Sequence, residues 1–323
     1  MMTLSVVIPC FNAREWICAT LESVFGQAVS DVEVIVVDDG STDGSGQLVA
    51  EAFPQVRLVR TANGGASRAR NIGTSVARGE FLQYLDADDL LAPGKLETQL
   101  RVLADNDADI AYGDWLELRT GPDVGRPVAG RLVARAIQGD ADIAVLTDFW
   151  CPPAAYLFRR AIVDRVGGWD EQQAVVEDVR FVLACALQGA SFAYAPGVAA
   201  SYRVHASGSL STRDPAEFTR GCLRNAITAE EWWVREGGLS RARWRTLLHA
   251  YGQVARASFG RDEATFEAAY AALERLQPGY TPTRPWHLAL ASRVIGYKSA
   301  EGLAVHYRHA KRALSDAVQL AHR

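Results

Sequence analysis

The chain is 323 residues long, with 49% hydrophobic and 22% charged residues, and its 34 Lys plus Arg against 38 Asp plus Glu leave a net charge of −4. That much apolar side chain offsets chain entropy, which excludes disorder as the main state, and the mild acidity argues against nucleic acid as a partner. Five cysteines (Cys10, Cys18, Cys151, Cys185, Cys222), none in a CxxC pair, read as reduced, mostly buried thiols of a cytosolic protein.

The first hundred residues alternate short apolar runs with amphipathic segments. Leu4 to Ile8 predicts a buried strand, and Asn12 with Glu15 three residues later predicts a capping box. Ile17, Leu21, Val24 and Phe25 then share one face of a helix that Gly26 ends. Val32 to Val37 is β-branched at almost every position and predicts a strand buried on both faces. Ser41 to Phe53 reads as helix, Val56 to Arg60 as strand, Gly65 to Arg78 as helix and Phe81 to Leu85 as strand. This β-α-β alternation predicts a parallel sheet with helices on both faces.

Further on, the spacing of Leu96, Gln99, Leu100 and Leu103 predicts a helix. Asp109 to Leu118 reads as a strand, 119–130 as a turn-rich loop, Tyr156 to Phe158 as a strand ahead of a helix at 160–166, and Glu177 to Gln188 as a helix. Beyond STRDP (211–215) the pattern is helical, broken by the three prolines of QPGYTPTRP (277–285). The N-terminus has no basic n-region and its apolar run stops at Pro9, so no leader is expected. No run of 18 apolar residues predicts a spanning helix, and a cytoplasmic location is the expectation.

Four motifs follow strands or open helices, where open α/β sheets bind ligands. In VVDDGSTDGS (36–45), Asp38 and Asp39 end a strand and Gly40 opens a turn; adjacent carboxylates repel, and their presence needs a reason. In NGGASRARNIG (63–73), glycines allow close approach of backbone to a ligand, and Arg68 and Arg70 suit phosphates or a base. No GKS or GKT follows and no GxGxxG is present, so neither a Walker loop nor a dinucleotide fold has support. In YLDADDL (84–90), Asp86, Asp88 and Asp89 would raise one another's pKa unless a cation neutralised them. In GGWDE (167–171) with Glu177-Asp178, a carboxylate at a helix start stays ionised and suits a general base.

Taken in order, SVVIPCFN (5–12), VIVVDDGSTDGS (34–45), NGGASRARNIG (63–73), FLQYLDADD (81–89), GGWDE (167–171), ED (177–178) and YRVHASGSLS (202–211) resemble the family-2 glycosyltransferases with the GT-A fold. The resemblance implies an α/β fold with a mostly parallel sheet flanked by helices in 1–212, and leaves 213–323 as a helical extension. It implies that Pro9, Phe11 and Asp39 line a nucleoside pocket, that Arg70 lies near the base or diphosphate, and that Asp86 and Asp88 form a DxD pair on the donor. Asp88 would be the main ligand of Mn2+ or Mg2+, with His205 reaching the metal or diphosphate, and Asp178 would be the base of an inverting transfer. The resemblance further implies a nucleotide-diphosphate sugar as donor, with uridine the usual base, and a glycan or lipid-linked acceptor in cell-surface polysaccharide or glycoconjugate synthesis.

Trp150, Trp169 and Glu177 are the acceptor-side candidates: Trp150 as part of a floor, Trp169 as a ring that stacks on sugar. Processive members of the family carry QxxRW; here the only Arg-Trp is Arg243-Trp244, with Ser240 in place of Gln, so one sugar per encounter is expected. Residues 284–323 hold seven Lys or Arg against two acids, and with Trp286, Leu288, Leu290, Val294, Ile295 and Tyr297 they suit either an anionic membrane surface or packing on the catalytic domain or a second copy. Two other classes stay open. A sugar nucleotidyltransferase would need a glycine-rich activation loop that SVVIPCFNARE lacks, and an inactive scaffold would be expected to have lost one of Asp39, Asp86, Asp88 and Asp178.

Overall fold

The computed structural model describes residues 3–120, 128–205 and 214–305, in two compact units, Met1–Arg213 and Asp214–Arg323. The middle of the expected 119–130 loop, residues 206–213 and the tail beyond 305 lie outside the described residues.

The N-terminal unit is built on one mixed sheet. Strands β1 (Leu4–Cys10), β2 (Val32–Asp38), β3 (Arg57–Arg60) and β4 (Phe81–Tyr84) alternate with helices α1 (Ile17–Phe25), α2 (Ser45–Ala52) and α3 (Ala66–Val76). They pair in parallel in the order β3-β2-β1-β4. Every residue of β4 and nearly every residue of β1 is buried, because helices cover both faces. The remaining elements are β5 (Leu90–Leu91), α4 (Lys95–Asp105), β6 (Ile110–Thr120), β7 (Val128–Val133), α5 (Ala141–Thr147), β8 (Tyr156–Arg159), α6 (Arg160–Val166), α7 (Glu177–Leu187) and β9 (Phe192–His205). Strand β8 enters antiparallel beside β4, and the sheet continues β8-β6-β9-β5, with β7 on β6.

Several local expectations need correction. Asn12 caps no helix: α1 starts at Ile17, and Asn12 sits at φ +50° with its Oδ1 accepting from the Thr42 amide at 2.8 Å. The helix expected from Ser41 starts only at Ser45, because Ser41 to Gly44 form a turn pinned by Asp38, Asn12 and Asp43. The loop expected at 119–130 is narrower, since β6 runs to Thr120 and β7 begins at Val128. The fourteen-residue β9 escaped the sequence reading because Pro196 and Gly197 interrupt its alternation. There β9 bulges: Gly113 pairs with Ala195, Asp114 with Val198 and Trp115 with Ala200. Asp114 fixes the bulge by accepting from Tyr194 Oη at 2.6 Å and the Gly197 amide at 3.3 Å.

A lysine is buried inside this unit. Lys95, at the start of α4, donates to Gln83 Oε1 and to the Tyr156 carbonyl (2.8 Å), joining α4 to β4 and β8. Burial holds its pKa well below the usual lysine range. All five cysteines are free, and Cys10, Cys151 and Cys185 are buried.

The C-terminal unit is helical: α8 (Pro215–Arg235), α9 (Arg241–Ser258), α10 (Glu263–Leu276) and α11 (Trp286–Ile295). Asp214, Ser240 and Asp262 cap the first three, each accepting from the amide three residues on. Ser240, where processive enzymes carry Gln, is thus a helix cap. Trp233, Leu247, Tyr251, Phe266 and Leu273 fill the core of this unit. Glu230 crosses it, bound by Tyr251 Oη (2.6 Å) and by both terminal nitrogens of Arg275 (2.6 and 2.9 Å).

Helix α3 approaches β1 and β2 at Gly73, where an added Cβ would lie 2.3 Å from Val7 Cγ1 and 3.3 Å from Val37 Cγ2. Overpacking of this kind costs about 1–3 kcal/mol, and here it outweighs the ~1 kcal/mol that Gly→Ala gives a helix. Gly73→Ala is therefore expected to lower the melting temperature; an unchanged or higher value would show that α3 can lift off the sheet freely.

Candidate active site

Asp38 and Asp39 end β2 beside the end of β1, and each is held by backbone donors. Asp38 Oδ1 accepts from the Ser41 amide (2.9 Å). Asp39 is 3% exposed, with Oδ1 accepting from the Gly64 amide (2.9 Å) and Oδ2 from the Gly65 amide (2.8 Å). The repulsion between adjacent carboxylates is thus balanced by N–H groups aimed at each. Gly40 has φ +76°, and a Cβ there would meet the Asn63 amide nitrogen at 2.9 Å, so the two turns close on each other only because it is glycine. Pro9 is half-buried at the end of β1, and the Phe11 ring is 51% exposed beyond it.

Arg70, on α3, is the hub. It is 2% exposed, and its guanidinium donates to Asp86 Oδ1 (2.6 Å) and Glu177 Oε1 (3.2 Å). The same group lies 4.3 Å over the Trp169 ring. Trp169 is 4% exposed, stacks on Phe181 at 4.2 Å and meets Tyr84 edge-on at 5.0 Å. Asn71 next to Arg70 clamps the GGWDE turn: Oδ1 accepts from the Trp169 amide (2.8 Å), and Nδ2 donates to the Trp169 carbonyl (2.9 Å) and Glu171 Oε1 (2.8 Å).

The turn after β4 is pinned from two sides. The Thr20 hydroxyl of α1 lies 2.9 Å from the carbonyls of Ala87 and Asp89. From β9, Arg203 donates through its amide to Asp89 Oδ1 and through Nε to the Asp88 carbonyl, both at 2.8 Å. His205, at the end of β9, brings Nε2 to 2.7 Å from Asp88 Oδ2. Trp16 lies under both, 4.1 Å from the Arg203 guanidinium and 5.8 Å from the His205 ring. Asp89 is buried, and burial with the nearby Asp88 and Asp86 charges pushes its carboxyl well above the usual range.

The fourth part is the start of α7. Asp178 accepts from Trp150 Nε1 at 2.5 Å and, through Oδ1, from the Val179 amide at 2.7 Å. Trp150 meets Trp115 and Tyr202 edge-on at 5.4 and 5.5 Å. Burial pushes the Asp178 carboxyl up, opposed by the Trp150 hydrogen bond and the Arg70 charge. Burial pushes Glu177 up to about 7 despite its Arg70 partner, helped by the Asp178 charge. The Tyr202 hydroxyl is driven upward by burial and then by the charges of Asp89, Asp86, Asp178 and Asp88.

The structure brings Asp86, Asp88, Asp178, Glu177, Arg70 and His205 together, and gathers Pro9, Phe11 and Asp39 at the ends of β1 and β2. Three roles change. Trp169 is a buried packing ring with no face left for a sugar. Trp150 is a donor to Asp178 before it is a floor. Glu177 is spent on Arg70 and does not stand free on an acceptor side. Arg70 itself is buried between carboxylates, with no terminal nitrogen turned outward to a base. Sequence reading missed Asn71, Thr20, Trp16 and Arg203. Asn71 and Arg203 at least lay inside quoted motifs, one residue from Arg70 and two from His205.

A divalent ion is tested by the donors present. Among the described residues no group of three or more His, Cys, Asp or Glu is arranged as a closed metal site. Asp88 and His205 converge as a pair, which fits an open site, since Mg2+-type ions take one or two carboxylates and fill the rest with water and substrate phosphate.

Comparison with known proteins gives the family and the fold. A family model, Glycosyl transferase family 2, matches residues 5–166. The chain is 41% identical over 123 residues to the glycosyltransferase YibD of Escherichia coli, covering 36% of each chain. It is 37% identical over 117 residues to the glycosyltransferase GlyG of Streptococcus pneumoniae, covering 35% of this chain and 38% of that one. The chain thus spans well under half the length of these relatives. By structure it is similar to S. aureus TarS 1-349 in complex with UDP-GlcNAc (TM-score 0.58, 18% identity, 96% of this chain and 92% of that one). It is also similar to the mannosyltransferase PcManGT from Pyrobaculum calidifontis in complex with GDP-Man and Mn2+ (TM-score 0.54, 20% identity, 94% and 83%). At such identities these two likenesses show the shared fold.

Two stability effects follow. Arg70→Met keeps bulk and removes the charge, leaving Asp86 and Glu177 unpaired; the expected cost is about 3–5 kcal/mol in denaturant unfolding. A cost below ~1 kcal/mol would mean the hub is dispensable. For Glu177, the folded chain keeps a proton that the unfolded chain releases between pH 4.5 and about 7, so the stability carried by that proton is lost as pH rises through this window. Glu177→Gln should flatten the fall in melting temperature across that window, leaving only the share of Asp178 and Asp89; an unchanged slope would remove Glu177 from the account.

Proposed function

The chain belongs to glycosyl transferase family 2, and from that premise we propose that it transfers a single sugar, with inversion, from a nucleotide-diphosphate sugar, uridine-linked, to a hydroxyl of a glycan or lipid-linked acceptor in cell-surface polysaccharide synthesis in the cytoplasm. The observation that carries the reading is the Arg70 bridge, which ties the Asp86 end of the DADD turn to the Glu177-Asp178 pair. A donor-holding segment and a candidate base are thereby fixed against each other before any substrate arrives.

In this reading the base of the nucleotide lies against Phe11 and Pro9, near Asp39, whose two amide contacts leave lone pairs for a ring N–H. Asp86 faces the donor from its Arg70 contact. Asp88 and His205 would hold Mn2+ or Mg2+, which when bound stabilises negative charge developing on the leaving diphosphate. Asp178 accepts the proton of the acceptor hydroxyl as that oxygen attacks the anomeric carbon on the face opposite the diphosphate. Partial burial raises its basicity, and the Trp150 indole and the Val179 amide each hold one oxygen while leaving it a second lone pair for the acceptor proton. The proton leaves with Asp178, the C–O bond to the acceptor forms, and the bond to the diphosphate oxygen breaks in the same displacement.

Asp178→Asn is expected to lower kcat by about 10²–10⁴, while nucleoside diphosphate still raises the melting temperature as in the parent chain. Transfer near the parent rate would remove Asp178 from the role. Trp150→Phe should lower kcat by a smaller factor and move the acidic limb of the pH profile upward, because the carboxylate loses a donor. The donor half is read by thermal shift with UDP, TDP or GDP, each with Mn2+ or with chelator. A metal-dependent rise with UDP supports the reading, and a rise with another nucleotide alone corrects its base.

A further inference from the structure

In the C-terminal unit Arg220, Arg224, Arg235 and Arg275 each hold a carboxylate. One region gathers cationic side chains that do not. A groove of about 1140 Å³ lies between α9 and the segment leading into α11, and Arg245, His249, Arg256 and Arg284 line it with no Asp or Glu. Among the described residues none of these three arginines has an acidic partner. The groove is basic by construction: Arg245, His249 and Arg256 recur along one face of α9 at spacings of four and seven.

Trp286 stands on the rim of this groove and is 75% exposed. It also begins an apolar stripe: Trp286, Leu290 and Val294 follow at i, i+4 and i+8 on α11, all exposed, with Ile295 beside them. The other face of α11 is packed inward through Leu288 and Ser292. A surface helix ordinarily turns a polar face outward, so α11 is apolar on both sides. The membrane face read from sequence is corrected in two members: Leu288 and Tyr297 are buried, and the exposed stripe is made by the others.

We propose that this face docks on an anionic phospholipid bilayer, with lipid phosphates in the Arg245–Arg256–Arg284 groove and Trp286, Leu290 and Val294 at the boundary with the acyl chains. Both halves of the surface are used by that occupant alone. Phosphates meet the unpaired guanidiniums, which an anionic surface attracts, and the tryptophan stands where indoles favour the interface. A soluble polyanion would satisfy the arginines and leave the stripe in water. A second copy placed face to face would set one basic groove against another. The residues after 305 carry Arg308, Lys311, Arg312 and Arg323 against Asp316, so they do not complement the groove either. No described helix is long and apolar enough to cross a membrane, so docking would be peripheral.

The test is co-sedimentation of the full chain with phosphatidylcholine vesicles, with and without phosphatidylglycerol. Binding is expected only with the anionic lipid, and high salt should release it. Trp286→Ser with Leu290→Ser should abolish it, Arg245→Gln with Arg256→Gln should weaken it by roughly tenfold or more, and Val234→Ser, another exposed apolar site, should leave it unchanged. No binding to anionic vesicles at low salt overturns the proposal, as does binding that survives both double variants. A dimer in vesicle-free solution that W286S/L290S dissolves would overturn it in favour of a second copy, and binding to soluble polyphosphate but not vesicles in favour of a polyanion. None of these readouts depends on sugar transfer, so the outcome is separable from the donor-site reading.

Discussion

The N-terminal unit depends on one buried cation. Arg70 sits almost out of solvent between Asp86 and Glu177 with its flat face on Trp169. Each of those partners comes from a different stretch of chain: the turn after β4, the start of α7 and the GGWDE turn. A guanidinium suits this place because its planar fork donates to two carboxylates while its face stays on an aromatic ring. An ammonium at the same position could reach one carboxylate and would lose the stacking. The desolvation of a buried charge is balanced only while both acids remain, so the hub and its partners stand or fall together.

Around that hub the sheet sorts its jobs by strand direction. The parallel half, β3-β2-β1-β4, delivers Asp38, Asp39 and the DADD turn to one edge, since parallel strands end on the same side. The half that follows supplies what the parallel strands cannot. β9 runs parallel to β6 and carries Arg203 and His205 to Asp88, and the chain just before β8 carries Trp150 to Asp178. Carboxylates from several loops thereby share a small volume. Glu177, Asp178 and Asp89 are all displaced upward, first by burial and then by neighbouring carboxylate charges.

Much of the parallel half was legible because each motif lies where an apolar run stops or a helix opens, and that boundary is local information. The DADD and VDDG turns, the glycine loop and the ED pair were readable for that reason. Partnerships were less so. Arg70 and Glu177 are separated by more than a hundred residues, and nothing local distinguishes a guanidinium that faces a phosphate from one that faces two acids. Trp169 was read as a sugar platform because an indole beside a turn looks the same whether or not Phe181 lies under it. Strand β9 was missed because Pro196 and Gly197 break its period, and the bulge that absorbs them is set by Asp114 on a distant strand. In the helical unit the caps were local and the core was not.

That bulge has a further consequence. Side chains along a strand alternate faces, so the facing of everything after position 197 is decided by how many residues the bulge contains. Between Gly113 and Trp115 the partners on β9 advance from Ala195 to Ala200, three more steps than β6 takes. Adding or deleting one residue there would turn Arg203 and His205 to the opposite face, while a change of two would preserve it. The length of this short stretch is therefore constrained by parity. Homologues that keep the Asp88–His205 pair should vary here by even numbers of residues, whatever those residues are.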